Sequence, residues 1–236
     1  MCAMFYRCHS LESLNISSFN TSKLVKTAIT ILVPDYSGVY AYSYGMFEDC
    51  HSLSYLDVSS FNTANVEDWG NMFSGCSGLA NLDVSHFDTS KAQYMSGMFN
   101  GCSSLKNIDV SNFNTTNVIY MNSMFSGCSS LTSLNLSNFN TTNVTCMESM
   151  FSGCNSLTSL DLSNFNTTNV FEMSEMFSNC SSLSSLNLDN FDTSSVVYMR
   201  GMFYYCSNLT NLDLSNFNTS NVKAMTLFNV AHSNPI

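Results

Sequence analysis

Residues 150–170 read MFSGCNSLTSLDLSNFNTTNV, and close variants of this text return along nearly the whole chain. Cys154 belongs to a column in which Cys50, Cys76, Cys102, Cys128, Cys154, Cys180 and Cys206 follow one another at intervals of 26 residues. Cys8 opens the column 42 residues before Cys50, so the first interval carries 16 extra residues. Leu157, Leu160, Leu162, Phe165, Thr167 and Val170 have counterparts at the same offsets from the other cysteines. A fixed period of this size marks a repeat array, in which each unit buries its apolar face against its neighbours. Residues 1–236 are therefore expected to form a single array of eight repeats, interrupted by an insertion at about 25–43.

Each repeat carries two periodicities. Leu131, Leu134 and Leu136 form LxxLxL, and Leu134 and Leu136 alternate as in a short strand. The equivalent segments predict parallel strands near 11–16, 53–58, 79–84, 105–110, 131–136, 157–162, 183–188 and 209–214. Val144, Met147, Met150, Phe151 and Cys154 fall at offsets 0, 3, 6, 7 and 10, which predicts a two- to three-turn helix. Asn117, Asn143, Asn169 and Asn221 are then N-caps, and Gly127 and Gly153 suit the helix end. Between the two, Ser-Asn-Phe-Asn-Thr-Thr reads as a bend with Phe139 inside. The expected class is α/β: a right-handed solenoid with a parallel concave sheet and short convex helices.

The pattern MFxxCxxLxxLxLSxFxTxxVxxM resembles the leucine-rich repeat of the BspA-like bacterial surface-protein family, and it runs from Met4-Phe5 to Met225. The resemblance implies a leucine-rich-repeat solenoid, extracellular or cell-surface display, and adhesion to host or matrix molecules. It implies no catalytic residues.

Composition narrows the partners. Seven Lys and Arg against 17 Asp and Glu give a net charge of −10, which disfavours binding to phosphate backbones. Nucleic acid is an unexpected partner. No apolar run reaches the ~18 residues of a membrane-spanning helix, and Met1 begins no secretory signal pattern.

Departures from the repeat are where function is sought. The insertion contains Tyr36, Tyr40, Tyr42 and Tyr44; the last three alternate, so in a strand they share one face. They are either interface anchors or cover for exposed core edge. The outward positions of LxxLxL form a second candidate, a polar and mildly acidic strip. It includes Tyr55, Asp57, Asp83 and Asp109 among Ser, Asn and further Asp residues. Oxygens on neighbouring strands could take Ca²⁺ or sugar hydroxyls, although parallel carboxylates do not converge as Ca²⁺ requires. A column of Tyr94, Tyr120, Cys146, Glu172 and Tyr198 is read as shielding the core or docking a partner. The Thr column, Thr21 to Thr219, suggests backbone hydrogen bonding in the bend, with an ice-binding ladder as the sharper reading.

The eight column cysteines are expected to lie parallel, reduced and buried, since a disulfide needs side chains directed at each other. Cys2 and Cys146 fall outside the column. No CxxC occurs, and His9, His51, His86 and His232 have no ligand spacing, so neither metal nor cofactor is expected. No catalytic motif interrupts the columns, and an enzyme is not expected. The sequence points to a surface binding solenoid for protein or glycan ligands. The alternatives are a structural spacer that self-associates through uncapped ends, or a mineral- or ice-binding surface.

Overall fold

The computed structural model describes residues 2–35 and 38–226. Its strands are β1 Ser13–Leu14, β2 Ala28–Asp35, β3 Gly38–Gly45 and β4 Tyr55–Leu56. Strand β1 pairs with β4 in parallel, and β2 pairs with β3 antiparallel. Among the described residues there is no helix. The expected α/β solenoid with convex helices is therefore wrong. The repeats do stack: Lys26, Asp68, Tyr94, Tyr120, Cys146, Glu172, Tyr198 and Ala224 form successive single-residue parallel bridges.

Two backbone positions per repeat explain the missing helix. Ser149 (φ 54°) and Gly153 (φ 73°) are left-handed, as are Ser123 and Gly127, and Glu175 and Asn179, in adjoining repeats. A left-handed residue ends a helical run, and two of them four residues apart leave no length for one. Hydrogen bonding divides accordingly. The N–H groups of Met147, Ser149, Phe151 and Gly153 donate to the carbonyls of Glu172, Ser174, Met176 and Ser178 at 2.9, 2.9, 3.0 and 2.7 Å. Those of Met150, Ser152 and Cys154 donate three residues back, to Met147, Ser149 and Phe151, at 3.2, 3.0 and 3.1 Å. An α-helix would keep every such bond inside the segment, four residues back. The result is a series of tight turns cross-linked to the next repeat.

The same bookkeeping shows why most LxxLxL segments are not regular strands. Just past the motif, Phe139 N–H bonds to Leu136 carbonyl in a turn, and Phe61 N–H to Val58 carbonyl. The extended stretch is too short for a ladder, and neighbouring segments share isolated bonds such as Thr132 N–H to Lys106 carbonyl, 3.1 Å. Parallel pairing survives as regular strands at Ser13↔Tyr55 and Leu14↔Leu56.

Both periodicities nevertheless point the expected residues inward. Met150, Phe151 and Cys154 are fully buried, and Leu157, Leu162 and Phe165 nearly so. The phenylalanines of the MF pairs form a column from Phe5 to Phe203, with neighbouring centroids 5.5–6.1 Å apart and rings within 15° of parallel. This is within the range of offset stacking. Each buried column thiol donates to the carbonyl of a phenylalanine one repeat back, as Cys128 does to Phe99 at 3.1 Å. The Asn column does not cap helices. Asn117, Asn143 and Asn169 donate through Nδ2 to the carbonyls of Ser90, Thr116 and Thr142, at 2.9, 2.8 and 2.8 Å.

The insertion is a hairpin, not an irregular loop. Eight register pairs run from Ala28↔Gly45 to Asp35↔Gly38. Its root is fixed to the stack: the Thr27 N–H and hydroxyl both donate to Asp68 carbonyl, at 3.0 and 2.8 Å. At the other strand, Gly45 N–H donates to Glu48 Oε2 at 2.8 Å, and Asn71 Nδ2 donates to Ser43 carbonyl at 2.7 Å.

Candidate functional site

The outward positions of the LxxLxL segments are exposed all along the stack. In the second to fourth repeats they enclose a shallow groove of about 460 Å³. Its walls are Tyr55, Asp57, Asn81, Asp83, Asn107 and Asp109, over a floor of Leu56, Leu82 and Ile108. A second recess of about 470 Å³, lined by Ser13, Asn15 and Ser17, shares Tyr55 and Asp57 with the first. Tyr55, 65% exposed, stands where the two meet.

The carboxylates of the groove are held by their own loops. Asp57, Asp83 and Asp109 each accept the N–H of the serine two residues on, Ser59, Ser85 and Ser111, at 2.9, 2.9 and 3.0 Å. The hydroxyls of Ser85 and Ser111 add bonds of 2.6 Å to the same oxygens. The serine hydroxyl and then its N–H hold all three carboxyls below the usual aspartate range. They are ionised at neutral pH, and all three residues are exposed. The His86 side chain assists ionisation of Asp57 and Asp83, while its Nε2 meets Val58 carbonyl at 2.9 Å. Among the described residues, no group of three or more His, Cys, Asp or Glu is placed to hold a metal ion. The row is suited to hydroxyl or cationic groups spaced along an extended ligand.

Four of the residues singled out from sequence, Tyr55, Asp57, Asp83 and Asp109, thus meet in one groove. Asn81, Asn107 and His86 were not singled out as site residues. Asn81 and Asn107 were legible as outward positions of LxL; His86 follows the motif and carried no signal. The insertion tyrosines are elsewhere, for the groove's lining comes from the LxxLxL segments and the adjoining Ser59. Tyr36 lies outside the described residues. Tyr40 and Tyr42 stand opposite Val33 and Ile31 in the hairpin, and Tyr44, 43% exposed, meets Tyr6 edge-on at 5.4 Å.

The remaining candidates are absorbed by structure. Thr63, Thr89, Thr115, Thr141, Thr167 and Thr193 are buried, so this run of the column offers no hydroxyls to an ice surface. Tyr94 and Tyr120 are half-buried and stack on each other at 5.8 Å. All ten cysteines are free; eight are buried, including Cys146, while Cys2 and Cys8 are partly exposed. His9 and His51 stack at 5.0 Å, each with Nδ1 on a main-chain carbonyl.

The groove is built from equivalent positions of three successive repeats. The family described as "Mycoplasma protein of unknown function, DUF285" matches twice, over residues 42–156 and 131–234. The chain belongs to this family. The two matches overlap over residues 131–156, the length of one repeat, as expected where every unit offers the same register. No curated protein and no solved structure matches this DUF285 chain. None of the described residues lies in a helix long and apolar enough to cross a membrane.

Proposed function

We propose that this DUF285 protein is a non-catalytic binding module that takes an extended protein segment or glycan along the groove from Asn15 to Asp109. The observation that carries this is the meeting of an exposed aromatic, Tyr55, with a row of ionised and amide side chains over two adjoining recesses. Aromatic faces supply desolvation energy, and the carboxylate and amide rows supply directional acceptors and donors. The net charge of −10 opposes nucleic acid as the ligand. The likeness of the MFxxCxxLxxLxLSxFxT repeat to BspA-like surface proteins supports display at a cell surface and a role in adhesion.

The test is binding of the intact chain to glycan and matrix-protein arrays, followed by titration of the best ligand against Tyr55→Ser and Asp57→Asn/Asp83→Asn. Each variant should keep its fold and lose roughly tenfold or more in affinity, as for an interface anchor. Unchanged affinity in both would overturn the reading.

A second reading is end-to-end assembly, favoured by the observation that successive repeats pair through equivalent parallel bridges, so that one unit's face is made to meet another's. Absence of binding together with concentration-dependent filaments would favour it.

A further inference from the structure

The groove carries more charge than its fold requires. At Asn15, Asn135 and Asn187 an amide oxygen closes the turn that Asp57, Asp83 and Asp109 close with a carboxylate. It accepts the N–H two residues on, at 3.0, 3.1 and 2.8 Å. A negative charge in this column is therefore not needed for the turn. Three successive repeats nevertheless place one there, and these are the repeats that line the groove. Neither Lys nor Arg lines it. Among the described residues both ion pairs, from Arg7 and His51, go to Asp49, so neither neutralises the row. The serine bonds lower the Asp57 and Asp109 carboxyls, while the Asp83 charge between them acts to raise both. The row is a set of exposed, mutually repelling anions.

We propose, resting on the groove as the binding site, that its ligand is an extended polypeptide segment with arginine or lysine at alternate positions. A neutral glycan laid over the row would strip water from three carboxylates and return no counter-charge, which is costly. One metal ion is a poor partner, because among the described residues no three His, Cys, Asp or Glu are placed to share it. Several separate cations on one chain fit instead. Neighbouring parallel segments lie about 4.8 Å apart, so the row from Asp57 to Asp109 spans about 10 Å. Alternate residues of an extended chain share a face about 6.8 Å apart, which sets two cations within that span. Tyr55, 65% exposed beside Asp57, gives a guanidinium an aromatic surface to stack on, which favours arginine over lysine. The floor of Leu56, Leu82 and Ile108 takes the methylene stems of either side chain.

The test is fluorescence anisotropy of the full chain with a labelled peptide of about six Arg-Ser units. Binding should be saturable and weaken as salt rises from about 0.02 to 0.15 M, where charges are screened within about 8 Å. The same peptide with citrulline, a neutral isostere of arginine, should not bind. A Lys-Ser peptide should bind more weakly than Arg-Ser, and Tyr55→Ser should remove that difference. Asp57→Asn/Asp83→Asn keeps the turns, as Asn135 does, and should weaken Arg-Ser binding about tenfold or more. Asp161→Asn/Asp213→Asn removes the same charge from the same column outside the groove, and should bind nearly as the wild type does. Equal losses in the two double variants would show attraction to net charge alone and overturn the proposal, as would spermine binding as tightly as the peptide. If a neutral glycan binds instead and Tyr55→Ser abolishes it, the cationic ligand is wrong and the groove stands. If neither probe depends on Tyr55, Asp57 or Asp83, both fall.

Discussion

The hydroxyl of Thr141 is bonded twice to one residue of the next repeat: it donates to Asn166 carbonyl at 2.8 Å and accepts Asn166 N–H at 2.7 Å. Thr115 and Asn140 repeat the pair at 2.9 and 2.8 Å, and Thr193 and Asn218 at 3.0 and 2.7 Å. One side chain thus satisfies both main-chain groups of a bend that has no strand to pair with. Replacement by valine keeps the shape and removes both partners. Thr141→Val should cost about 1–3 kcal/mol, the penalty for leaving such groups unmet. Thr141→Ser keeps the hydroxyl and should cost about 1 kcal/mol for its methyl group. Urea denaturation measures both, and equal losses would show that packing, not hydrogen bonding, fixes this column.

The turn ladder makes a spectroscopic prediction. With left-handed residues at Ser123 and Gly127, far-UV circular dichroism should lack the paired minima of an α-helix. Gly127 has φ 69°, and a Cβ there would lie 3.3 Å from the main chain of Gly101. Gly127→Ala should therefore destabilise, by about 1–2 kcal/mol for the backbone conformation before any crowding. A helical spectrum, or a neutral Gly127→Ala, would restore the helix in place of the turns.

These residues also show how far the sequence was legible. The columns of Cys154, Phe165 and Thr167 disclosed the repeat, its period and its core, because apolar side chains repeat wherever neighbours stack. The helix was misread because offsets 0, 3, 6, 7 and 10 also fit linked three-residue turns. Gly153 could be seen as a terminator; the second terminator stands at Ser123, Ser149 and Glu175 in three repeats, types that carry no signal for a left-handed backbone, although Asn71, Gly97 and Gly201 occupy the same column and were the legible clue to it. The alternation of Tyr40, Tyr42 and Tyr44 was legible as a strand, whereas its partner Ala28–Asp35, a nearly unbroken apolar run, has no period to read. In the groove, Asp57, Asp83 and Asp109 were legible as outward residues. Their hydrogen bonds to Ser59, Ser85 and Ser111, which orient them, depend on a local turn that alternation does not encode.

Gly45 anchors the hairpin in a space that admits no side chain. A Cβ there would fall 1.8 Å from the Asn71 carbonyl oxygen and 2.2 Å from its carbon, both main-chain atoms that cannot move aside. Gly45→Ala must therefore shift the hairpin root away from Asn71 and strain the bonds around Glu48. The expected result is a loss of about 1–3 kcal/mol, typical of overpacking, with the hairpin amides exchanging hydrogen faster than those of the repeats beyond Asp68. Uniformly faster exchange along the chain would mean that the root is coupled to the whole stack.

The buried thiols set an alkaline limit on stability. Burial pushes Cys128 up to about 12 and Cys50 and Cys206 up to about 11, from an ordinary value near 9.0. Cys102 and Cys154 are also raised well above it, by burial first and then by neighbouring column cysteines. With the folded pKa above the unfolded one, the native state holds its protons after the unfolded chain has released them. The stabilisation is therefore full below about pH 9 and is lost as pH rises from there toward 11–12. For a thiol as deeply buried as Cys128, the slope is about 1.4 kcal/mol per pH unit within that window. Urea midpoints should be level through about pH 8 and fall steeply by about pH 10.5. Cys128→Ala should lower stability at neutral pH and make the alkaline slope shallower by one thiol. Cys128→Ser should cost less than alanine, because its hydroxyl can still donate to the Phe99 carbonyl that the thiol uses. Thiol titration gives the companion result: Cys2 and Cys8 should react in the native protein, and all ten after denaturation without reductant. A flat alkaline profile, or ten reactive thiols in the native state, would show that the column is open to solvent.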